Sequence, residues 1–142
     1  MRILLVGDVV GKPGRRGVRQ LLPGIVEEYG VDLVLVNGEN AAGGFGLTPD
    51  TAQELFEAGA DVITSGNHIW DKQEVLPLLD GEAPILRPLN YPPGVPGRGY
   101  LRIKGAYDRD RKVFEATYVD TKCPSKYEGE GSGSGKAYSP GP

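Results

Sequence analysis

The sequence predicts an α/β fold built from βαβ units on a mainly parallel sheet, followed by a β-hairpin. Three observations predict it. Short continuous aliphatic runs occur at residues 3–7, 33–36 and 62–64, the pattern of buried strands. Helical periodicity fills the gaps between them. Successive runs start roughly 24–30 residues apart, the length of a strand, a helix and their loops.

The first run, Ile3 to Gly7, is read as a strand buried on both faces. The following helix places Val18, Leu21, Leu22, Ile25 and Val26 at spacings of three and four, with a kink expected at Pro23 and a stop at Gly30. Leu33 to Val36 is the second strand. The second helix is punctuated at both ends: Thr48 as cap, Pro49 in its first position and Gly59 past its end. Val62 to Thr64 is the third strand. A third helix is expected from Asp71, where Glu74 follows at capping-box spacing. Ile85-Leu86 is a weaker fourth strand. Residues 87–99 form a Pro/Gly-rich loop, and Tyr100–Ala106 and Lys112–Val119 alternate as hairpin strands around a polar turn, Asp108 to Arg111. The chain therefore divides into an α/β domain over 1–122 and a flexible Gly/Ser/Pro-rich tail over 123–142.

Composition narrows the function. A net charge of -3 gives no footprint for duplex nucleic acid, so phosphate chemistry needs metal ions or local dipoles to offset the acidity. No apolar run reaches membrane-spanning length. The lone Cys123 excludes an internal disulfide, reads as an incidental thiol, and fits a reducing cytosol; a cytoplasmic protein is expected.

The chemistry gathers at the strand ends. Gly7-Asp8, Gly38-Glu39-Asn40 and Gly66-Asn67-His68 each follow a strand directly, and in parallel sheets the carboxyl ends of strands carry the ligand site. Carboxylates, amides and the single histidine are ligands for hard or borderline divalent metals. Each has a plainer alternative. Asp8 also suits a loop or cap, and Gly7 is read as letting the backbone approach whatever Asp8 holds. Glu39, a charge beside a buried run, needs either a metal or a long-range salt bridge to Lys12 or Arg15. His68 suits a proton donor to a leaving oxygen or a structural imidazole. Residues 40–46 (Asn-Ala-Ala-Gly-Gly-Phe-Gly) offer either amides for a phosphate or a mobile loop. Gly7 to Lys12 is one residue too short for a P-loop, and no Gly-x-Gly-x-x-Gly follows a strand.

Together these strings resemble the YmdB-type bacterial metallophosphoesterases of the calcineurin-like phosphoesterase group. The resemblance runs through ILLVGDVVGKPGR (3–15), NGENAAGGFG (37–46), TSGNHIWD (64–71), RPLNYP (87–92) and GRGY (97–100), and so covers about residues 1–105. It implies the N-terminal half of a two-sheet sandwich and a centre of two divalent ions, iron and/or manganese. The implied reaction is hydrolysis of phosphodiesters such as 2′,3′-cyclic nucleotides. By the same resemblance Asp8 would ligate one ion and Glu39 would bridge both. Asn40 would assist the first ion or orient the phosphate, Asn67 would ligate the second ion, and His68 would donate the proton.

Family members continue well beyond this length and draw further histidine ligands from their second half, whereas this chain has one His. The other carboxylates past residue 105, Asp108, Asp110 and Asp120, are not site candidates. The expectation is thus divided between a metal-dependent phosphoesterase and an inactive truncated remnant, or a non-catalytic domain binding phosphate or a partner. An uncovered sheet face or edge further predicts self-association as a homo-oligomer.

Overall fold

The computed structural model describes residues 1–107 and 112–119. The expected tail, the hairpin turn with Asp108 and Asp110, and both Asp120 and Cys123 lie outside the described residues. A three-stranded parallel sheet runs in the order β1 (Ile3–Val6), β2 (Leu33–Asn37), β3 (Val62–Thr64). Helix α1 (Gly11–Tyr29) connects the first two strands and α2 (Pro49–Glu57) the second pair. Ile3 to Val6 align with Leu33 to Val36, and Leu35 to Asn37 align with Val62 to Thr64. This register brings the three strand ends, and the motifs that follow them, to one edge.

Local chemistry sets the helix limits. Gly30 closes α1 in the left-handed region, φ 58°, with its N–H returned to Val26 and Glu27 carbonyls. Pro23 lies inside α1 without ending it. Thr48 caps α2 reciprocally: Thr51 N donates to Thr48 Oγ1 and Thr48 N donates to Thr51 Oγ1.

Both crossover helices pack on one face, as right-handed crossovers stepping the same way along a sheet require. There Val18 and Leu22 of α1 and Ala52 and Leu55 of α2 bury against Val34, Val36 and Ile63. Leu21, expected in that stripe, is 64% exposed; the stripe runs at four-residue intervals through Val18, Leu22 and the partly buried Val26.

The opposite face differs along its width. Leu33, Leu35 and Val62 are covered by Leu101 and Ile103 of β4 (Tyr100–Tyr107), which pairs antiparallel with β5 (Lys112–Val119). Their in-register neighbours on β1 are bare, Ile3 48% and Leu5 69% exposed. The expectation of a first strand buried on both faces is therefore corrected: β2 is, and β1 is not, because β1 lies at the sheet edge.

Two further elements depart from expectation. Ile85-Leu86 joins the sheet only as a parallel bridge beside Ile63, with Leu86 N donating to Ile63 O. No helix begins at Asp71. Two 3₁₀ turns, Asn67–Trp70 and Gln73–Val75, precede the four-residue α3 (Leu76–Leu79), and the extended Lys72 separates the turns. The Asp71 carboxylate turns back to His68 through Oδ2, and the N-cap of the next turn is Lys72. Among the described residues no helix is long and apolar enough to cross a membrane.

Candidate active site at the strand ends

The β2 and β3 ends close on each other. Gly38 N donates to Thr64 O, and a Cβ on Gly38 would meet Ile63 Cγ2 at 2.9 Å and Leu55 Cδ1 at 3.1 Å. Only glycine lets the chain turn this close to the core. The turn carries the half-buried Glu39 side chain across to β3, over Gly66, where a Cβ would stand 2.3–2.7 Å from its carboxylate. Gly66 is thus required by approach and not by backbone conformation, its φ being -129°. His68 N then donates to Glu39 Oε2 at 3.3 Å.

The β1 end joins through an amide. Asn40 Nδ2 donates to Asp8 Oδ1 at 2.8 Å, while Asn40 O accepts from Gly11 N and Gly44 N. Two pairs are therefore brought together, Asp8 with Asn40 and Glu39 with His68. Asn67 is exposed between Gly66 and His68, and no side-chain bond ties it to the others among the described residues.

The salt-bridge alternative for Glu39 finds no partner among the described residues. Arg15 does not reach it; its Nε donates to Glu54 Oε2 at 2.7 Å and its Nη1 to Ala41 O at 2.6 Å. The Arg15 hydrogen bond holds the Glu54 carboxyl below its ordinary range, against a smaller opposing effect of desolvation. Neither Asp8 nor Glu39 forms an ion pair with a described Lys or Arg. Two carboxylates thus share one sheet edge without an ion pair to a described Lys or Arg.

The glycine-rich loop after β2 is held by its own hydrogen bonds. The N–H groups of Ala41, Ala42, Gly43 and Gly44 donate to Gly38 O, Gly46 O, Ala41 O and Asn40 O. Those four amides are engaged within the turn, so the phosphate cradle considered for them is not supported. Gly46, φ 78°, lets Lys72 lie against the loop, and Lys72 Nζ sits 4.5 Å from the Phe45 ring centroid.

Sequence reasoning missed what two neighbours of the site bond to. Asp71, read as a cap, bonds His68 Nδ1 through Oδ2 at 2.7 Å; its place three residues after the histidine was the signal. Arg15 braces the Glu39 loop through Ala41 O and not through a carboxylate, which nothing in the local sequence announces.

The donor types fit hard or borderline divalent ions: carboxylate oxygens from Asp8 and Glu39, and an amide oxygen from Asn67. The set is short. Among the described residues no three His, Cys, Asp or Glu side chains stand close enough to hold an ion.

Comparison with known proteins accords with this arrangement. A family model described as YmdB-like protein matches residues 4–118. A Bacillus subtilis protein named 2′,3′-cyclic-nucleotide 2′-phosphodiesterase is 46% identical over 104 residues, 73% of this chain and 39% of that one. A Mycoplasma genitalium putative phosphatase/phosphodiesterase is 40% identical over 90 residues, covering 63% and 32%. Among solved structures, a Thermus thermophilus hypothetical protein superposes with a TM-score of 0.69 at 46% identity, over 81% of this chain and 43% of that one. A phosphatase from Mycoplasma pneumoniae gives 0.66 at 35% identity, over 71% and 37%. The chain spans about a third to two fifths of the length of the curated relatives it matches. With the family model matched from the first strand into the hairpin and the strand-end motifs assembled on one edge, the chain belongs to the YmdB-like protein family.

Proposed function

We propose that the strand-end edge is part of a metal-assisted phosphoesterase site acting on phosphodiesters, with 2′,3′-cyclic nucleotides as the substrate class. The observation that carries this reading is the pair of carboxylates, Asp8 and Glu39, on adjacent strand ends without an ion pair to a described Lys or Arg, with the His68 backbone N–H on Glu39. The names of the relatives support the reaction class.

Asp8, Glu39 and Asn67 would hold two divalent ions, iron or manganese. Such ions polarise phosphoryl oxygens and offset the charge of two carboxylates facing an anionic substrate. The chain's own residues do the rest. Asn40 Nδ2 holds Asp8 in place, and its amide can turn to orient a phosphate oxygen. The His68 backbone N–H holds Glu39 over Gly66. His68 has one ring nitrogen engaged by Asp71 and one left to pass a proton to the leaving oxygen.

The test pairs metal content of the purified chain with hydrolysis of bis(p-nitrophenyl) phosphate in added manganese. Stoichiometric metal with turnover is expected, abolished in Glu39→Ala and Asn67→Ala but kept in the surface variant Glu28→Gln. Neither metal nor turnover would sink the proposal and favour the non-catalytic binding role, with which the short donor set also accords.

A further inference from the structure

We propose that Asp71 is the positioning residue for His68: it holds the imidazole by Nδ1 and leaves Nε2 as the nitrogen available for proton transfer. The catalytic meaning of this pair rests on the phosphoesterase reading above; its geometry does not.

An ionised carboxylate only accepts hydrogen bonds, so the 2.7 Å contact between Asp71 Oδ2 and His68 Nδ1 requires the proton on Nδ1. A neutral ring so held carries its free lone pair on Nε2, and a charged one presents Nε2–H. The contact is built into the backbone. His68 and Asp71 are three residues apart across the 3₁₀ turn Asn67–Trp70, which superposes side chains at that spacing, and Asp71 N also donates to His68 O at 3.1 Å.

The two residues between them anchor the turn. Ile69 is fully buried in the core. Trp70 Nε1 donates to Pro96 O at 3.1 Å, and its ring meets Tyr91 edge-on at 4.5 Å. From the other side the glycine loop closes on the same segment: a Cβ on Gly46 would lie 3.5 Å from Asp71 Cβ and 2.6 Å from Lys72 Cγ. A fixed turn thus presents His68 and Asp71 outward, with side chains 43% and 39% exposed and open to a ligand. The alternative role, a helix cap, is not taken up: the N-cap of the next turn is Lys72, without a side-chain cap bond, and not Asp71.

His68 is the only histidine in the chain, so uniform ¹⁵N-histidine labelling reports this ring alone. In the full chain at a pH where the ring is neutral, long-range ¹H–¹⁵N correlation is expected to show Nδ1 as the protonated nitrogen and Nε2 as pyridine-like. Asp71→Ala should shift Nε2 towards the pyrrole-like value and Asp71→Asn should weaken the Nδ1–H preference, while exposed Glu74→Gln leaves the spectrum unchanged. An Nε2–H ring in the parent chain, or no shift in Asp71→Ala with the fold intact by circular dichroism, overturns the proposal.

The kinetic arm reads the role. Asp71→Ala should lose on the order of 10²-fold in kcat on an alkyl phosphodiester, whose leaving oxygen needs a proton. On bis(p-nitrophenyl) phosphate the loss should be far smaller. Equal losses on both refute positioning for acid catalysis. A tautomer shift without turnover in any variant supports the pair and counts against the phosphoesterase reading alone.

Discussion

Two of the three strand ends are locked together, and the third is open. At β2 and β3 the glycines exist because something is already there: a Cβ on Gly38 would press on Ile63 and Leu55, and one on Gly66 would enter the Glu39 carboxylate. At β1, a Cβ on Gly7 would meet nothing within 4 Å, Asp8 is exposed, and a single Asn40 amide ties it to the rest. The same Gly-acid pattern thus arises once from internal crowding and once without it. The locked pair positions Glu39 and His68 by packing; the Asp8 side chain is held by one hydrogen bond.

Gly66→Ala should break the locked half with the largest effect. The atom in the way is the far end of a flexible side chain, so the fold can relax by moving Glu39 off β3. Misplacement by about 1 Å can cost about 10²-fold in rate. The expected result is turnover reduced by that order with a nearly unchanged melting temperature. A large drop in thermal stability instead would show that Glu39 cannot yield, and that the crowding is structural.

Gly38→Ala separates position from function in the opposite way. Its Cβ meets core side chains, Ile63 and Leu55, both fully buried. Overpacking of this kind costs about 1–3 kcal/mol. Urea denaturation should register it as a lower midpoint at unchanged slope. A midpoint equal to the parent's would mean that the β2–β3 seam is looser than its contacts imply.

What the sequence could convey follows the same division. Thr48, Pro49 and Gly30 act on neighbours within four residues, and they place the ends of α2 and α1 where local chemistry says they should be. The strand-end position of Asp8, Glu39 and His68 was legible for that reason too. An aliphatic run, by contrast, does not reveal its place in a sheet: Ile3 to Val6 and Leu33 to Val36 look alike, yet one is an edge and the other a centre. Partner choice was equally hidden. Arg15 was a candidate for Glu39 until Glu54, 39 residues away, claimed it, and Asp71 suits a cap as well as it suits an imidazole.

Arg15 offers a third, smaller handle on the loop that carries Glu39. Its Nη1 bond to Ala41 O braces that loop, and its Nε bond to Glu54 fixes α1 to α2. The Glu54 carboxyl is depressed by this hydrogen bond, so the contribution to stability is fully present above its unfolded value and is lost as pH falls through the lowered folded value. With Glu54 37% exposed, solvent screening keeps the pair below about 1 kcal/mol. Glu54→Gln should therefore lower the melting temperature slightly at neutral pH, and the difference from the parent should vanish in acid. A difference that persists in acid would assign the effect to packing and not to charge.

The smallest effect is expected at Gly7, and it sharpens the comparison most. Gly7 is exposed, its φ is outside the left-handed region, and its Cβ site is empty. Alanine there should change stability within about 0.5 kcal/mol, towards the stabilising side, because it narrows the unfolded ensemble. If crowding by the chain were the only reason for glycine at a strand end, Gly7→Ala would also leave manganese affinity and turnover untouched. A stable Gly7→Ala variant that binds manganese or phosphodiester more weakly would show that the open space beside Asp8 is filled by ligand. Unchanged binding would place the ligand on the Glu39–His68 side, where Gly66 and not Gly7 sets how closely the chain can approach.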